Sequence, residues 1–239
     1  MKITAHGSHL IQLCYLGMMN CYFIRENDGL TLIDTALASC AKPIMQAAQQ
    51  LGQPIVRIVL THAHSDHVGG LDALHELLPE AEVAIMARDA RFLKGDMSLD
   101  PDEPQVKLRG GYPICKTQPS RLLHEGEHIG SLEVVATPGH TPGHAAFLDT
   151  RDRTLIAGDA LQTLGGVAVS GTLKPFFPLP ALATWHKPSA LASARKLLAL
   201  EPSRLAIGHG RVLEQPQAAM DQAIEVLARE LMRQGAKVG

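Results

Sequence analysis

Thr61-His62-Ala63-His64-Ser65-Asp66-His67 is the stretch on which the reading of this chain turns. It follows Ile55 to Leu60, a short apolar run rich in β-branched residues that reads as a buried strand. Imidazole nitrogens and carboxylate oxygens are the usual non-sulfur ligands of zinc. In a loop leaving a strand, His62 and His64 can point the same way. If a helix starts near Asp66, then Asp66 and His67 project on a different bearing, so one short segment offers ligands to two neighbouring ions. Gly69-Gly70 removes side-chain bulk just behind them and allows close helix packing. The plainer alternatives are surface histidines that bind nothing, or one structural zinc. Closed structural sites favour Cys, however, and this run mixes His with carboxylate at a strand end.

Working outward, Asn20 to Arg25, a turn at Glu26-Asn27-Asp28-Gly29, and Leu30 to Ile33 form a hairpin, within an opening third that reads as strands. Ala41 to Leu51 reads as a helix stopped by Gly52, and Leu71, Leu74 and Leu78 have helical spacing up to Pro79. Ala81 to Met86, Leu132 to Thr137, Ala145 to Leu148, Thr154 to Ala157 and Leu205 to Gly208 read as strands. Ser189 to Leu200 and Gln217 to Gln234 read as helices, the latter with Met220, Ile224, Leu227 and Leu231 on one face. Thr31 to Ala36 resembles Thr154 to Ala160, and the strand entering His62 resembles the one entering His209. Both echoes place polar residues where an apolar strand ends, which suits two related halves facing one site. The expectation is one domain over 1–239 with halves of roughly 1–118 and 119–239, joined by the Pro- and Gly-rich stretch from Asp96 to Pro119.

Composition narrows the function classes. The chain has 239 residues, 46% hydrophobic and 19% charged, enough for a sizeable core. A formal net charge of −2 argues against a nucleic-acid surface or a polybasic membrane patch. No segment has membrane-spanning length, and the N-terminus lacks the apolar run of a signal peptide. Cys14, Cys21, Cys40 and Cys115 form no CxxC pair and read as small buried thiols in a reducing compartment. The expected location is cytoplasmic and the expected partner a small molecule.

Three further motifs extend the pattern: Pro138-Gly139-His140-Thr141-Pro142-Gly143-His144, Ala157-Gly158-Asp159-Ala160 and Ile207-Gly208-His209-Gly210. With the opening run they resemble the metallo-β-lactamase superfamily over about residues 14 to 212. The resemblance implies an α/β (α+β) fold, a four-layer αβ/βα sandwich of two mixed β-sheets flanked by helices. It assigns His62, His64 and His140 to one metal, Asp66, His67 and His209 to a second, and Asp159 to both. It implies that Asp34 orients a ligand histidine, and that His144 supports the local structure rather than binding metal. The implied cofactor is two divalent ions, Zn2+ first, with Mn2+ or Fe2+ also compatible with these ligands. His6, His9, His75, His124, His128 and His186 have no such context.

Two ions about 3.5–4 Å apart can share a water and lower its pKa. The implied activity is a dinuclear metal-dependent hydrolase whose bridging hydroxide attacks a small ester, thioester or lactone, with Asp66 managing the proton. Asp159 stands where true β-lactamases of the fold carry Cys or Ser. Hydroxyacylglutathione hydrolases share the ligand set but append a helical domain, whereas 30 residues follow His209 here. Acyl-homoserine lactonases place a Tyr shortly after the bridging Asp; no tyrosine follows Tyr112 here, and Gln162 lies in the corresponding stretch. The rivals are a mononuclear iron sulfur dioxygenase on the same scaffold and a metal-binding module without turnover. Gln162 to Trp185 lies between two ligands and is expected to cover the site. Met18, Met19, Phe176, Phe177 and Trp185 are the candidate pocket walls.

Overall fold

The computed structural model describes residues 1–235; the last four residues of the expected domain lie outside the described residues. Seven strands, β1 (Lys2–His6), β2 (Leu10–Tyr15), β3 (Met19–Arg25), β4 (Leu30–Ile33), β5 (Ile55–Leu60), β6 (Glu82–Met86) and β7 (Arg121–Leu123), form the first sheet in sequence order. Its first four strands are antiparallel and its last four parallel. The second sheet contains β8 (His128–Ile129), β9 (Leu132–Ala136), β10 (Ala145–Asp149) and β11 (Thr154–Ile156). A small hairpin of β12 (Leu161–Gln162) and β13 (Ala168–Val169) intervenes, and β14 (Arg204–Ala206) and β15 (Leu213–Glu214) complete the second sheet in the order β15-β14-β11-β10-β9-β8. The chain therefore changes sheets between Leu123 and His128.

The helices are α1 (Ala41–Leu51), α2 (Ser65–Val68), α3 (Leu71–Leu77), α4 (Ala87–Leu93), α5 (Leu179–Ala183), α6 (Lys187–Ala199) and α7 (Gln217–Gly235). Strand alternation sends Leu32, Ile58 and Val83 outward against Ile44 of α1, Leu74 of α3 and Phe92 of α4. Their neighbours Ile33, Val59 and Ala84 face inward and meet Val134, Phe147, Ile156 and Ala206 of the second sheet. On the far side Val135, Ala146, Leu155 and Leu205 pack under Ala194 and Leu197 of α6 and Met220, Ile224 and Leu227 of α7. Each sheet is thus buried on both faces, which is why its central strands read as continuous apolar runs. The result is the expected four-layer αβ/βα sandwich of two mixed sheets.

Several boundaries differ from the sequence reading. The expected helix from Asp66 to Pro79 is broken into α2 and α3 at Gly69-Gly70. A Cβ at Gly69 would lie 2.5 Å from the Ser65 carbonyl oxygen, and one at Gly70 2.5 Å from that of Thr35, so the break lets the backbone press against the end of β4. Strands β1 and β2 at the open edge, β7, β8 and helix α4 carry too short or too mixed a pattern to read. Residues 94–120 run as loop and turn, as expected of the connection.

The two sequence echoes have a structural counterpart. β4 and β5 are parallel neighbours ending at Asp34 and His62; β11 and β14 are parallel neighbours ending just before Asp159 and His209. The sheets lock together beside those ends. Tyr22 Oη donates to the Ile207 carbonyl at 2.7 Å and accepts the Ile207 N–H at 3.1 Å, while the Ala145 N–H donates to the Thr61 carbonyl at 2.9 Å. Tyr22→Phe should leave the buried Ile207 N–H without its acceptor while keeping the ring's packing, costing about 1–3 kcal/mol. Urea unfolding of the variant against the parent measures it.

Candidate metal centre

β4, β5, β9, β11 and β14 end at the same edge of the sandwich, and the loops leaving them carry the polar residues of the four motifs. Three groups of side chains there could each hold one ion: His62, His64 and His140; His62, His67 and Asp159; and Asp66, His67 and His209. All seven residues named from sequence come together. Asp159 lies 3.4 Å from His140 Nε2 through one oxygen and 3.4 Å from His67 Nε2 through the other. His209 Nε2 is 3.2 Å from both Asp66 and Asp159.

The hydrogen bonds around each ring determine which nitrogen carries its proton. His64 Nε2–H donates to the Arg109 carbonyl at 2.9 Å, and His209 Nδ1–H to the Met18 carbonyl at 3.0 Å. His67 Nδ1–H donates to Asp34 at 2.7 Å. The Thr61 hydroxyl gives its only proton to Asp34 at 2.8 Å, so it accepts from His62 Nδ1–H at 3.0 Å. His140 is held by a longer relay. Thr184 donates to the Pro180 carbonyl at 2.7 Å, Ser170 donates to Thr184 at 2.7 Å, and Ser170 therefore accepts from His140 Nδ1–H at 2.8 Å. Every ring has its outward nitrogen satisfied and its other nitrogen turned to the centre, the arrangement that sets ligand orientation and basicity in metal sites.

One consequence is decisive for fit. His64 Nδ1 sits 3.1 Å from His62 Nε2 and 3.0 Å from His140 Nε2, so three lone pairs converge with no hydrogen between them. In the second group the buried atoms His67 Nε2 and Asp159 Oδ1 have no hydrogen-bond partner among the described residues. A cation at each place would satisfy these atoms; nothing else among the described residues does. Electrostatics divides the groups in the same way. Burial pushes His62 and His140 down and His64 to about 4, keeping those rings neutral. Burial opposes charge at His67 and His209 too, but the carboxylates of Asp159 and Asp66 outweigh it and raise His209 to about 10. Protons there stand in for a cation and would be released on metal binding.

His144 is different. Its Nε2 accepts the Asp159 backbone N–H at 3.0 Å and its Nδ1 is paired with the Thr137 hydroxyl at 2.7 Å, so no lone pair is free. Burial drives it down to about 3, and it holds the Asp159 backbone as a neutral ring. Asp34 adopts φ 59° at the end of β4, which turns its carboxylate onto the Thr61 N–H, the Thr61 hydroxyl and His67.

Some supporting residues were not legible beforehand. Asp89, at the start of α4, accepts from the Ala63 N–H, the Thr141 hydroxyl and the Gly143 N–H at 2.7–3.0 Å, tying the two histidine loops together. Burial raises it to about 6 against those bonds. The 96–119 connection likewise proves to be part of the site through Arg109 and Gly110. No spacing rule marks either residue.

Among the candidate pocket walls, Met18, Met19 and Phe177 line a cavity of about 470 Å³ over the centre. Phe176 does not: it is 92% exposed, because adjacent side chains diverge and Phe177 takes the inward position, its ring 5.1 Å from that of His209. Trp185 faces a neighbouring cavity, its Nε1–H donating to the Val106 carbonyl at 3.1 Å.

The family model of the metallo-beta-lactamase superfamily matches residues 14–209. The chain belongs to this superfamily. It is similar to the uncharacterized protein YobT of Bacillus subtilis, 53% identical over 208 residues, 87% of this chain and 89% of that one. The probable metallo-hydrolase YflN of the same organism is 30% identical over 80% of each chain. A hydroxyacylglutathione hydrolase of Rhodospirillum rubrum is 31% identical over 63% of this chain and 49% of its own length. Among solved structures, TTHA1623 in a di-iron-bound form aligns with a TM-score of 0.66 at 28% identity, covering 89% of this chain and 97% of that one. A metallo-beta-lactamase variant from Cronobacter sakazakii shares the fold with a TM-score of 0.71 at 19% identity over 99% of both chains. Among the described residues no helix is long and apolar enough to cross a membrane.

Gly110 tests the outer support of the centre. It has φ +87°, and a Cβ there would lie 2.3 Å from His64 Nε2. Gly110→Ala should push the Arg109 carbonyl off His64 and weaken metal binding about 10–100-fold. A chelator-competition titration of purified protein reads this directly.

Proposed function

We propose that this chain is a dinuclear metal-dependent hydrolase of small esters, thioesters or lactones. The convergence of three proton-free imidazole nitrogens beside a second group, with Asp159 reaching both, carries the reading. Similarity to a probable metallo-hydrolase and to hydroxyacylglutathione hydrolases supports the reaction class. His62, His64 and His140 would hold one divalent ion, Asp66, His67 and His209 the other, and Asp159 both. When bound, two such ions acidify water and stabilise negative charge on an acyl oxygen. Zinc suits the donors, and manganese or iron does as well; the di-iron relative fits that range.

The chain's own residues supply the rest. Hydrolysis places the oxygen of water on the acyl carbon and breaks the acyl–oxygen or acyl–sulfur bond. The acyl half leaves as a carboxylate, and the alcohol or thiol takes up a proton. Asp66 stands at the cavity wall, 3.2 Å from His209 Nε2, with its carboxyl held well below the usual range by His67 and His209 against the effect of burial. It is placed to receive the proton of the attacking water. Met18, Met19, Phe177, Leu179 and Leu182 give the cavity an apolar wall suited to an acyl chain. The convergence of Asp66, His67 and His209 favours two ions over the mononuclear iron alternative, which would leave that group idle.

Protein purified without added metal should carry two ions per chain by elemental analysis and turn over at least one class in a panel of esters, thioesters and lactones. Asp66→Asn should lower kcat about 10²–10⁴-fold. One iron per chain with oxygen uptake on a persulfide would overturn the proposal. Within the pocket, Phe177→Ala should raise KM for hexanoyl relative to acetyl substrates about tenfold, whereas Phe176→Ala should leave the ratio unchanged.

A further inference from the structure

The cavity over the metal centre has Asp66 and Asp159 in its wall but neither Lys nor Arg. A second cavity, of about 600 Å³, adjoins it, and the two share Gly110 and Leu182 as a common lip. The second is lined by Lys107, Arg109, His186 and Trp185 and by no carboxylate. Its cations come from the same loop that holds His64 through the Arg109 carbonyl, so the backbone that carries them is fixed beside the centre. His186 has its proton assigned as well. Its Nδ1 accepts the Ser189 N–H at 3.3 Å at the start of α6, which leaves the proton on Nε2 and makes the ring a neutral donor. Trp185 adds a flat apolar wall whose N–H is already spent on the Val106 carbonyl.

An apolar cavity and a cationic one, meeting beside the metal centre, match a molecule that is apolar on one side of its scissile bond and anionic on the other. We infer that the substrate carries an anionic group, a carboxylate or phosphate, on its leaving alcohol or thiol. That group lies in the second cavity against Lys107, Arg109 and the His186 Nε2–H, while the acyl chain lies against Phe177 and Leu179. This rests on the hydrolase reading for its chemistry but not for its binding. The bond broken is the acyl–oxygen or acyl–sulfur bond at the lip, and the anionic alcohol or thiol leaves with the proton. Lys107 bonds no candidate metal ligand, whereas the Arg109 backbone holds His64, so Lys107 is the cation that can be changed without touching the support of the centre.

The test compares two hexanoyl thioesters, of 3-mercaptopropionate and of its neutral methylamide, on the metal-loaded protein and on Lys107→Glu. The parent should prefer the anionic substrate, and the preference should shrink between 0.05 and 0.5 M salt. The Lys107→Glu variant should raise KM for the anionic substrate about tenfold with kcat little changed, and move the neutral one by less than about twofold. Its metal content should equal the parent's. Trp185, the only tryptophan in the sequence, provides a readout independent of turnover. Its fluorescence should report binding of N-hexanoyl-β-alanine to the parent and about tenfold weaker binding to the variant. Equal binding to both proteins, or equal KM shifts for both thioesters, overturns the inference. Charge-dependent binding with no hydrolysis of any substrate would instead sustain the subsite and overturn the hydrolase reading.

Discussion

Five imidazole rings share one buried volume with Asp66 and Asp159, and each is oriented there by a hydrogen bond from its outward nitrogen. A neutral imidazole has one donor and one acceptor nitrogen, so anchoring the first exposes the second. The anchors come from all parts of the fold: Asp34 after β4, Thr61 after β5, Arg109 in the long connection, Ser170 after β13 and the Met18 carbonyl before β3. Their geometry brings the lone pairs of His62 and His140 to within 3.1 Å of that of His64, which is unfavourable without a cation between them. A bound cation would therefore make the surrounding polar network consistent.

The sandwich makes that network possible. Two sheets buried on both faces leave little freedom in where their strands end, and paired parallel strands in each sheet deliver Asp34 with His62 and Asp159 with His209 to one edge. Tyr22 and the Thr61–Ala145 bond fix the sheets to each other at that edge, where small displacements would matter most. Asp89 does the same for the loops. Its cost as a buried acid is offset by three donors, two of them backbone N–H groups of the histidine motifs.

Around this rigid centre the wall for substrate is of a different kind. Residues 162–185 form turns, short strands and one short helix, and from them the buried Phe177 and the exposed Leu179 and Leu182 border the cavity while Phe176 stands in solvent. The contrast between an apolar cavity and a cationic one across Gly110 and Leu182 comes from two segments far apart in sequence, 106–110 and 177–186.

The sequence by itself determined the metal-centre residues as candidates, the strand ends that bear them and the layered fold. Metal chemistry restricts ligands to a few residue types, and buried strands must be continuously apolar, so both leave a readable trace. The role of His144 was legible only through resemblance, since a histidine's spacing does not show which of its nitrogens is already spent; the Asp159 N–H and Thr137 decide that in three dimensions. Phe176 and Phe177 are alike in sequence, and only the local turn of the chain sends one to His209 and the other to water. Asp89, Arg109, Gly110 and the Ser170–Thr184 relay were decided by tertiary structure alone. Their work is done through single hydrogen bonds or a missing Cβ, and such contacts depend on where the chain returns in space, which no local pattern records.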